Sequence, residues 1–219
     1  GSYVEESIDG RDFMVCATPD CRDRQLARAM KDTNGRIFYV PIPRLVVLRE
    51  AIDTLQYSHI CIGGDRGGGK SVGVRRIAQD LCQTFENFSV LFLRRTFPDL
   101  YRNHMKFAPR EAKQLGASYA KPYMKWPETG SELEYGHCFK PDDWEGYIGS
   151  EADLIVFEQV ERFTEQQVTE ISSNVGRIRR KGWRGLALAG ENPNGPIAAF
   201  VDELGANVGH VRKQRCFVQ

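Results

Sequence analysis

The sequence predicts an α/β domain: a mostly parallel central sheet with helices on both faces. Three observations lead there. Short continuous apolar runs recur at 57–62, 89–93, 152–157 and 185–189. They are too short for helices and lack the strict alternation of half-exposed strands, so they read as strands buried on both faces. Segments of helical period lie between them, at 45–55, 71–85, 98–115 and 164–174. A glycine-rich loop, 63–69, joins the first run to the helix that follows it. Buried strands alternating with helices make a parallel sheet covered on both sides.

Each element has its own signal. Gly1-Ser2 reads as a protease-cleavage scar and is set aside. Residues 3–42 read as an N-terminal arm, with turn signals at Thr18-Pro19-Asp20 and Asn34-Gly35 and a helical pattern at 25–31. The pattern becomes regular from residue 43, and one domain is expected over 43–219. The helix at 98–115 is interrupted near Pro109. Residues 117–140 read as a hairpin or two, with strands at 123–126 and 132–139 about a turn at Pro127-Glu128-Thr129-Gly130. The helix at 164–174 is capped: Thr164 is the N-cap and Gln167 sits at the capping-box position. A helix at 196–204 and a last strand at 210–217 close the chain, which reads as a domain cut from a longer protein.

Composition narrows the function classes. Over 219 residues, 41% are hydrophobic and 27% charged, proportions of a globular domain and not of a disordered chain. Thirty Lys and Arg against 29 Asp and Glu give a net charge of +1, which argues against a uniformly basic nucleic-acid coat protein. No apolar run approaches the roughly 18 residues of a membrane span, and no secretory signal opens the sequence. The six cysteines are scattered, as expected in a reducing compartment. Cys61 and Cys82 sit in apolar segments as small hydrophobes. Cys16 and Cys21 are two thiols near a turn, with no second pair at zinc spacing.

The chemistry lies in the glycine loop. Gly64-Asp65-Arg66-Gly67-Gly68-Gly69-Lys70-Ser71 fits the pattern G-x-x-x-x-G-K-S/T. Its glycines let successive N–H groups turn toward phosphate oxygens, at a helix N-terminus that adds partial positive charge. Lys70 reaches the β- and γ-phosphates, the Ser71 hydroxyl ligates Mg2+, and Val72 completes the segment. The expected ligand is therefore ATP with Mg2+. Arg66 either folds its guanidinium over the γ-phosphate or lies exposed at the loop tip.

Such a loop needs a second strand, beside the first, that ends in carboxylates. Leu154-Ile155-Val156-Phe157-Glu158-Gln159 supplies it. Glu158 takes the magnesium-side position, one methylene longer than the usual Asp. Gln159 stands where a catalytic carboxylate is expected; an amide can hold a water but cannot accept its proton at neutral pH. The chain is thus expected to be an ATP hydrolase impaired at this step, with Gln159, Glu158, Arg66 and Lys70 as its catalytic set. A third run, 186–189, leads into Gly190-Glu191-Asn192-Pro193-Asn194-Gly195. Strand ends at one edge of a parallel sheet converge on a ligand crevice, so Asn192 is either a γ-phosphate sensor or part of an ordinary Asn-Pro turn.

Taken together these stretches resemble the ATPase domain of tailed-bacteriophage large terminases, the DNA-packaging motors. The resemblance rests on the loop at 63–71, on Leu93-Arg94-Arg95-Thr96, on Gly149 with 153–159, Arg162-Phe163-Thr164, Gln167, Arg177 and Arg179, and on Asn192-Pro193-Asn194-Gly195 with Gly209-His210-Val211 and Arg215. It covers about 43–219. It implies a P-loop NTPase fold of the RecA-like, additional-strand, catalytic-glutamate type. It implies translocation of double-stranded DNA into a procapsid, and as partners the portal protein, the small terminase subunit and a homomeric ring, usually a pentamer, with a monomer in isolation. It places the protein in the host cytoplasm. A family nuclease domain would lie beyond residue 219, and relatives hold adenine around 39–44 and Gln56. Where many relatives carry a trans-acting arginine, just before the glycine matching Gly149, this chain has Ile148; either Arg102, Arg110 or Arg177 substitutes, or the match is out of register. Arg177, Arg179, Arg180 and Lys181 are either a DNA-facing patch or a solvated helix end. Two competing readings remain: a P-loop DNA helicase or recombination ATPase, and a nucleotide-dependent assembly module that binds ATP without hydrolysing it.

Overall fold

The computed structural model describes residues 3–54, 57, 59–62, 69–173 and 186–190. The arm is more structured than its sequence suggests. Strands β1 (Tyr3–Ile8) and β2 (Arg11–Cys16) form an antiparallel hairpin. Its turn is Asp9-Gly10, with φ of 53° and 75°, the double left-handed geometry that favours Asp-Gly. Helix α1 (Pro19–Ala27) follows, six residues before the expected start, with Pro19 in its first turn where no backbone N–H is missed. Residues 30 and 31, expected as helix, are instead strand β3 (Met30–Lys31), paired with β4 (Ile37–Tyr39). The arm is pinned by Gln25, fully buried, whose Oε1 accepts from the Cys16 N–H and whose amide donates to the Pro41 carbonyl, both at 2.7 Å.

The expected α/β pattern begins at α2 (Pro43–Asp53), which buries Leu45, Val46, Leu48 and Ile52. Then come β5 (His59–Ile62), α3 (Lys70–Thr84), β6 (Ser89–Arg94), α4 (Phe97–Asn103) and α5 (Ala108–Gln114). The interruption between α4 and α5 falls at His104, and Pro109 opens α5 rather than breaking it. Strands β7 (Ser118–Ala120), β8 (Tyr123–Trp126) and β9 (Ser131–His137) make the expected antiparallel turns, and β10 (Leu154–Glu158), α6 (Glu165–Ser172) and β11 (Leu186–Gly190) follow. The capping box at Thr164 and Gln167 is present. The expected elements at 196–204 and 210–217 lie outside the described residues.

Among the described residues seven strands form one sheet, in the order β5-β11-β10-β6-β9-β8-β7. The first five run parallel, and β8 and β7 are added antiparallel. The sheet is of mixed, mostly parallel type, as expected. One expectation is corrected: the carboxylate strand β10 does not lie beside β5. Strand β11 is inserted between them, pairing with both. Such an inserted strand is what the additional-strand class means.

Side chains alternate between two cores. Val90 and Phe92 of β6 and Leu154 and Val156 of β10 pack in the larger core with Val74, Ala78 and Leu81 of α3. Leu91, Leu93, Ile155 and Phe157 point the other way, onto Val168 and Ile171 of α6. Both faces are therefore covered, which is why these strands read as unbroken apolar runs. At the α2–α3 contact a Cβ on Gly73 would fall 2.1 Å from Leu45 Cδ1, so the helices approach at a distance only glycine allows. Cys82 is fully buried as expected, while Cys61 is only partly so.

Candidate functional site

The site forms at the carboxyl ends of the parallel strands, where α3 begins and β10 stops. Gly69 precedes α3 with φ 72° and ψ 4°, a left-handed geometry that suits glycine and turns the backbone into the helix. Its carbonyl accepts the Gly73 N–H at 2.8 Å. Lys70 is the first helical residue, Ser71 the second, and Val72 is 43% exposed beside them. The other loop residues singled out by sequence, Gly64, Asp65, Arg66, Gly67 and Gly68, lie outside the described residues, as do Asn192 and the basic cluster at 177–181.

The structure brings Ser71 and Glu158 together. The Ser71 hydroxyl donates to Glu158 Oε1 at 2.6 Å, across a sequence separation of 87 residues. Glu158 is 4% exposed and has two further neighbours on its other oxygen. Arg94 Nε lies 2.5 Å from Oε2, a charge contact more than an aligned hydrogen bond. His104 Nε2 lies 3.4 Å from the same oxygen. Burial alone would raise this carboxyl's pKa. The His104 hydrogen bond, the Arg94 charge and the Ser71 hydroxyl together outweigh it and hold the group below its ordinary value, so it is ionised at neutral pH.

Gln159 follows immediately and is half-buried. Its φ of 60° and ψ of 57° place it in the left-handed region, uncommon for a residue with a side chain. Strand β10 must turn sharply here into the short 3-10 turn Val160–Arg162, and the strained residue sits at that corner. Such outliers concentrate where a side chain has to be aimed.

Three residues of the site carry no sequence motif of their own in this role. Arg94 ends β6, next to β10, and the two strands run parallel, so their ends coincide. His104 is fully buried at the C-terminal cap of α4, its ring 4.7 Å from that of Phe92. Burial pushes its pKa down, so the imidazole is neutral at pH 7. Arg75, one turn after Ser71, donates from Nη1 to His104 Nδ1 at 3.0 Å and is held by Glu111 at 3.1 and 3.0 Å. Only the topology brings these side chains together; the Arg94-Arg95 pair is the single local hint. Arg95 turns away, donating to the Cys138 carbonyl and to Gln167 Oε1 at 3.4 Å.

Ile148, before Gly149, is 65% exposed, and Arg102 and Arg110 are exposed on α4 and α5. The hydroxyl and carboxylate oxygens of Ser71 and Glu158 are hard donors of the kind that suits Mg2+ and its water shell. Among the described residues no cluster of three or more His, Cys, Asp and Glu forms a metal site of another kind. No described helix is long and apolar enough to cross a membrane.

No family model matches the sequence, and no curated protein matches it. The fold does match solved structures. The large terminase of bacteriophage HK97 aligns with a TM-score of 0.60 at 11% identity, over 86% of this chain and 42% of that one. The large terminase of the thermophilic bacteriophage D6E aligns at 0.52 and 18% identity, over 74% of this chain and 41% of that one. The D6E protein in complex with ADP aligns at 0.52 and 20% identity, over the same shares. The chain thus spans about two fifths of the length of the terminases it matches, and at these identities the likeness is one of fold.

Proposed function

We propose that this chain is the ATPase motor domain of a viral large terminase, coupling ATP hydrolysis to movement of double-stranded DNA into a procapsid. The observation that carries the reading is the Ser71–Glu158 contact across the inserted strand β11. It joins the helix that follows the phosphate-loop sequence to the acidic strand end, in a sheet shared with large terminases and, in one of them, with bound ADP. Portal protein, small terminase subunit, a pentameric ring and a host-cytoplasmic location belong to the same proposal, with an exposed arginine such as Arg102 or Arg110 acting on a neighbour's nucleotide in place of Ile148.

Ser71 and Glu158 would hold Mg2+ with the phosphates of ATP, and the bound ion would draw charge from the phosphoryl oxygens. The chain's own groups do the rest. Lys70 pairs with the phosphates at the start of α3. Glu158, kept ionised by Arg94 and His104, would accept hydrogen bonds from the ion's water shell, and Ser71 would offer it a hydroxyl oxygen. Gln159, at the strained corner, orients the attacking water through its amide but takes no proton from it. The chain should therefore bind ATP readily and turn it over slowly.

A second reading draws on the same residue: with Gln159, the domain is a nucleotide-dependent assembly module that binds and does not hydrolyse. Phosphate release by Gln159→Glu separates the two. General-base catalysis contributes about 10²–10⁴-fold. The motor reading expects a gain within that range with little change in ATP affinity, measured at high protein concentration or with portal and DNA present, since a trans arginine contributes about 10³–10⁵-fold. An unchanged rate in the assembled state favours the assembly module.

A further inference from the structure

Helix α3 meets Glu158 twice. Ser71 donates to Oε1 directly. Arg75, four residues on and so on the same face of the helix, donates to His104 Nδ1, and the far nitrogen of that ring faces Oε2. The contacts close a ring: α3 to β10 to the end of α4 and back to α3. Because Arg75 can only donate, Nδ1 must be the accepting nitrogen, and the ring proton lies on Nε2, directed at the carboxylate.

The ring is anchored from behind. Arg75 Nη1 also donates to the Asn103 carbonyl at 3.0 Å. Glu111, 1% exposed, takes both remaining Arg75 nitrogens and is itself held by Arg76 at 3.0 Å and by the Gln79 amide at 2.8 Å. The His104 ring lies tilted against that of Phe92, their centroids 4.7 Å apart. Among the described residues, the chain of contacts reaches the phosphate-loop motif at Ser71 and ends on the Glu158 carboxylate.

We propose that His104 is a positioning residue for Glu158, fixing the rotamer in which Oε1 is presented to Ser71 and to a bound metal's shell. The inference rests on the reading of Glu158 as the metal-side carboxylate. It answers a need specific to this chain. Glutamate has one more rotatable bond than the aspartate usual at this position, and so one more torsion to hold still. The Nε2 proton restrains Oε2 without adding charge, Arg94 supplies the charge, and Arg75 keeps the ring in the donating tautomer. Such outer contacts typically contribute 10–100-fold to metal affinity.

The test is Mg2+ dependence of ATP binding, by titration with a fluorescent ATP analogue with and without the metal, alongside the melting temperature of each variant. His104→Phe keeps the buried ring and removes the hydrogen bonds. His104→Gln returns an N–H near the Nε2 position. We expect His104→Phe to weaken Mg2+-dependent binding at least tenfold while metal-free binding stays within twofold, and His104→Gln to recover most of the loss. In a Glu158→Gln background the His104→Phe effect should vanish. A folded His104→Phe protein with unchanged Mg2+ dependence overturns the proposal. So does an equal loss with and without metal, or a loss that His104→Gln fails to recover, since either marks a purely structural histidine. Absence of Mg2+-dependent binding in the unaltered chain overturns the site reading and this proposal together.

Discussion

Lys70 occupies the first turn of α3, where the helix N-terminus and a glycine-rich approach favour an anion. Lys70→Ala removes a charge-assisted contact of about 1.5–3 kcal/mol, so ATP affinity should fall at least tenfold in a direct binding titration. Gln159 makes a different kind of prediction. Its left-handed backbone tolerates glycine and penalises branching at Cβ. Gln159→Val should lower unfolding free energy by about 1–2 kcal/mol in urea, and Gln159→Gly should not. Part of this scale was legible beforehand: Ser71 and Glu158, which the structure brings together, were singled out by local patterns that suit phosphate and metal chemistry. His104 and Arg75 were not. A lone buried histidine and a helix arginine have no pattern of their own, and their roles arise from partners 54 and 29 residues away.

Elements were legible where one stripe or one cap decides them. The apolar faces of α2 and α3 set both helices within two residues, and the Thr164–Gln167 reciprocal cap marked the start of α6. The arm was not, because its elements bury little. Most of β1 and β2 is exposed, α1 buries only Gln25, and its start is set by Thr18-Pro19 and not by any periodicity. The Asp9-Gly10 turn was the one available signal for the hairpin. Helix packing gives the sharpest test at this scale. Gly73→Ala drives a methyl into Leu45 and forces α2 from α3, an overpacking cost of about 1–3 kcal/mol. Leu45→Ala, which alone leaves a cavity, should relieve it, so the double variant should be more stable than the two separate losses predict.

At the scale of the whole molecule, buried titratable groups tie stability to pH. Burial lowers the pKa of His59 and His104 from the ordinary 6.5, so the unfolded chain binds more protons than the folded one once pH falls below that value. Glu158, held below the ordinary 4.5, acts with the same sign at lower pH. The stability these groups contribute is complete above about pH 6.5 and is lost on acidification, first through the histidines and then through the carboxylate. Urea unfolding should give a flat free energy between about pH 7 and 8, a decline below 6.5 that His104→Phe reduces, and a steeper one below 4.5. The parallel sheet was legible at this scale, but strand order was not, since local patterns do not say which strands are neighbours. That order carries a consequence for how the protein is born. Among the described residues β5 meets the rest of the sheet only through β11, the last strand to be synthesised. A growing chain makes β5 early, yet that strand gains its sheet partner only when residue 190 is free of the ribosome. The strand that leads into the phosphate-loop sequence thus takes its place late, so on the proposed function competence for nucleotide would arrive in one late step.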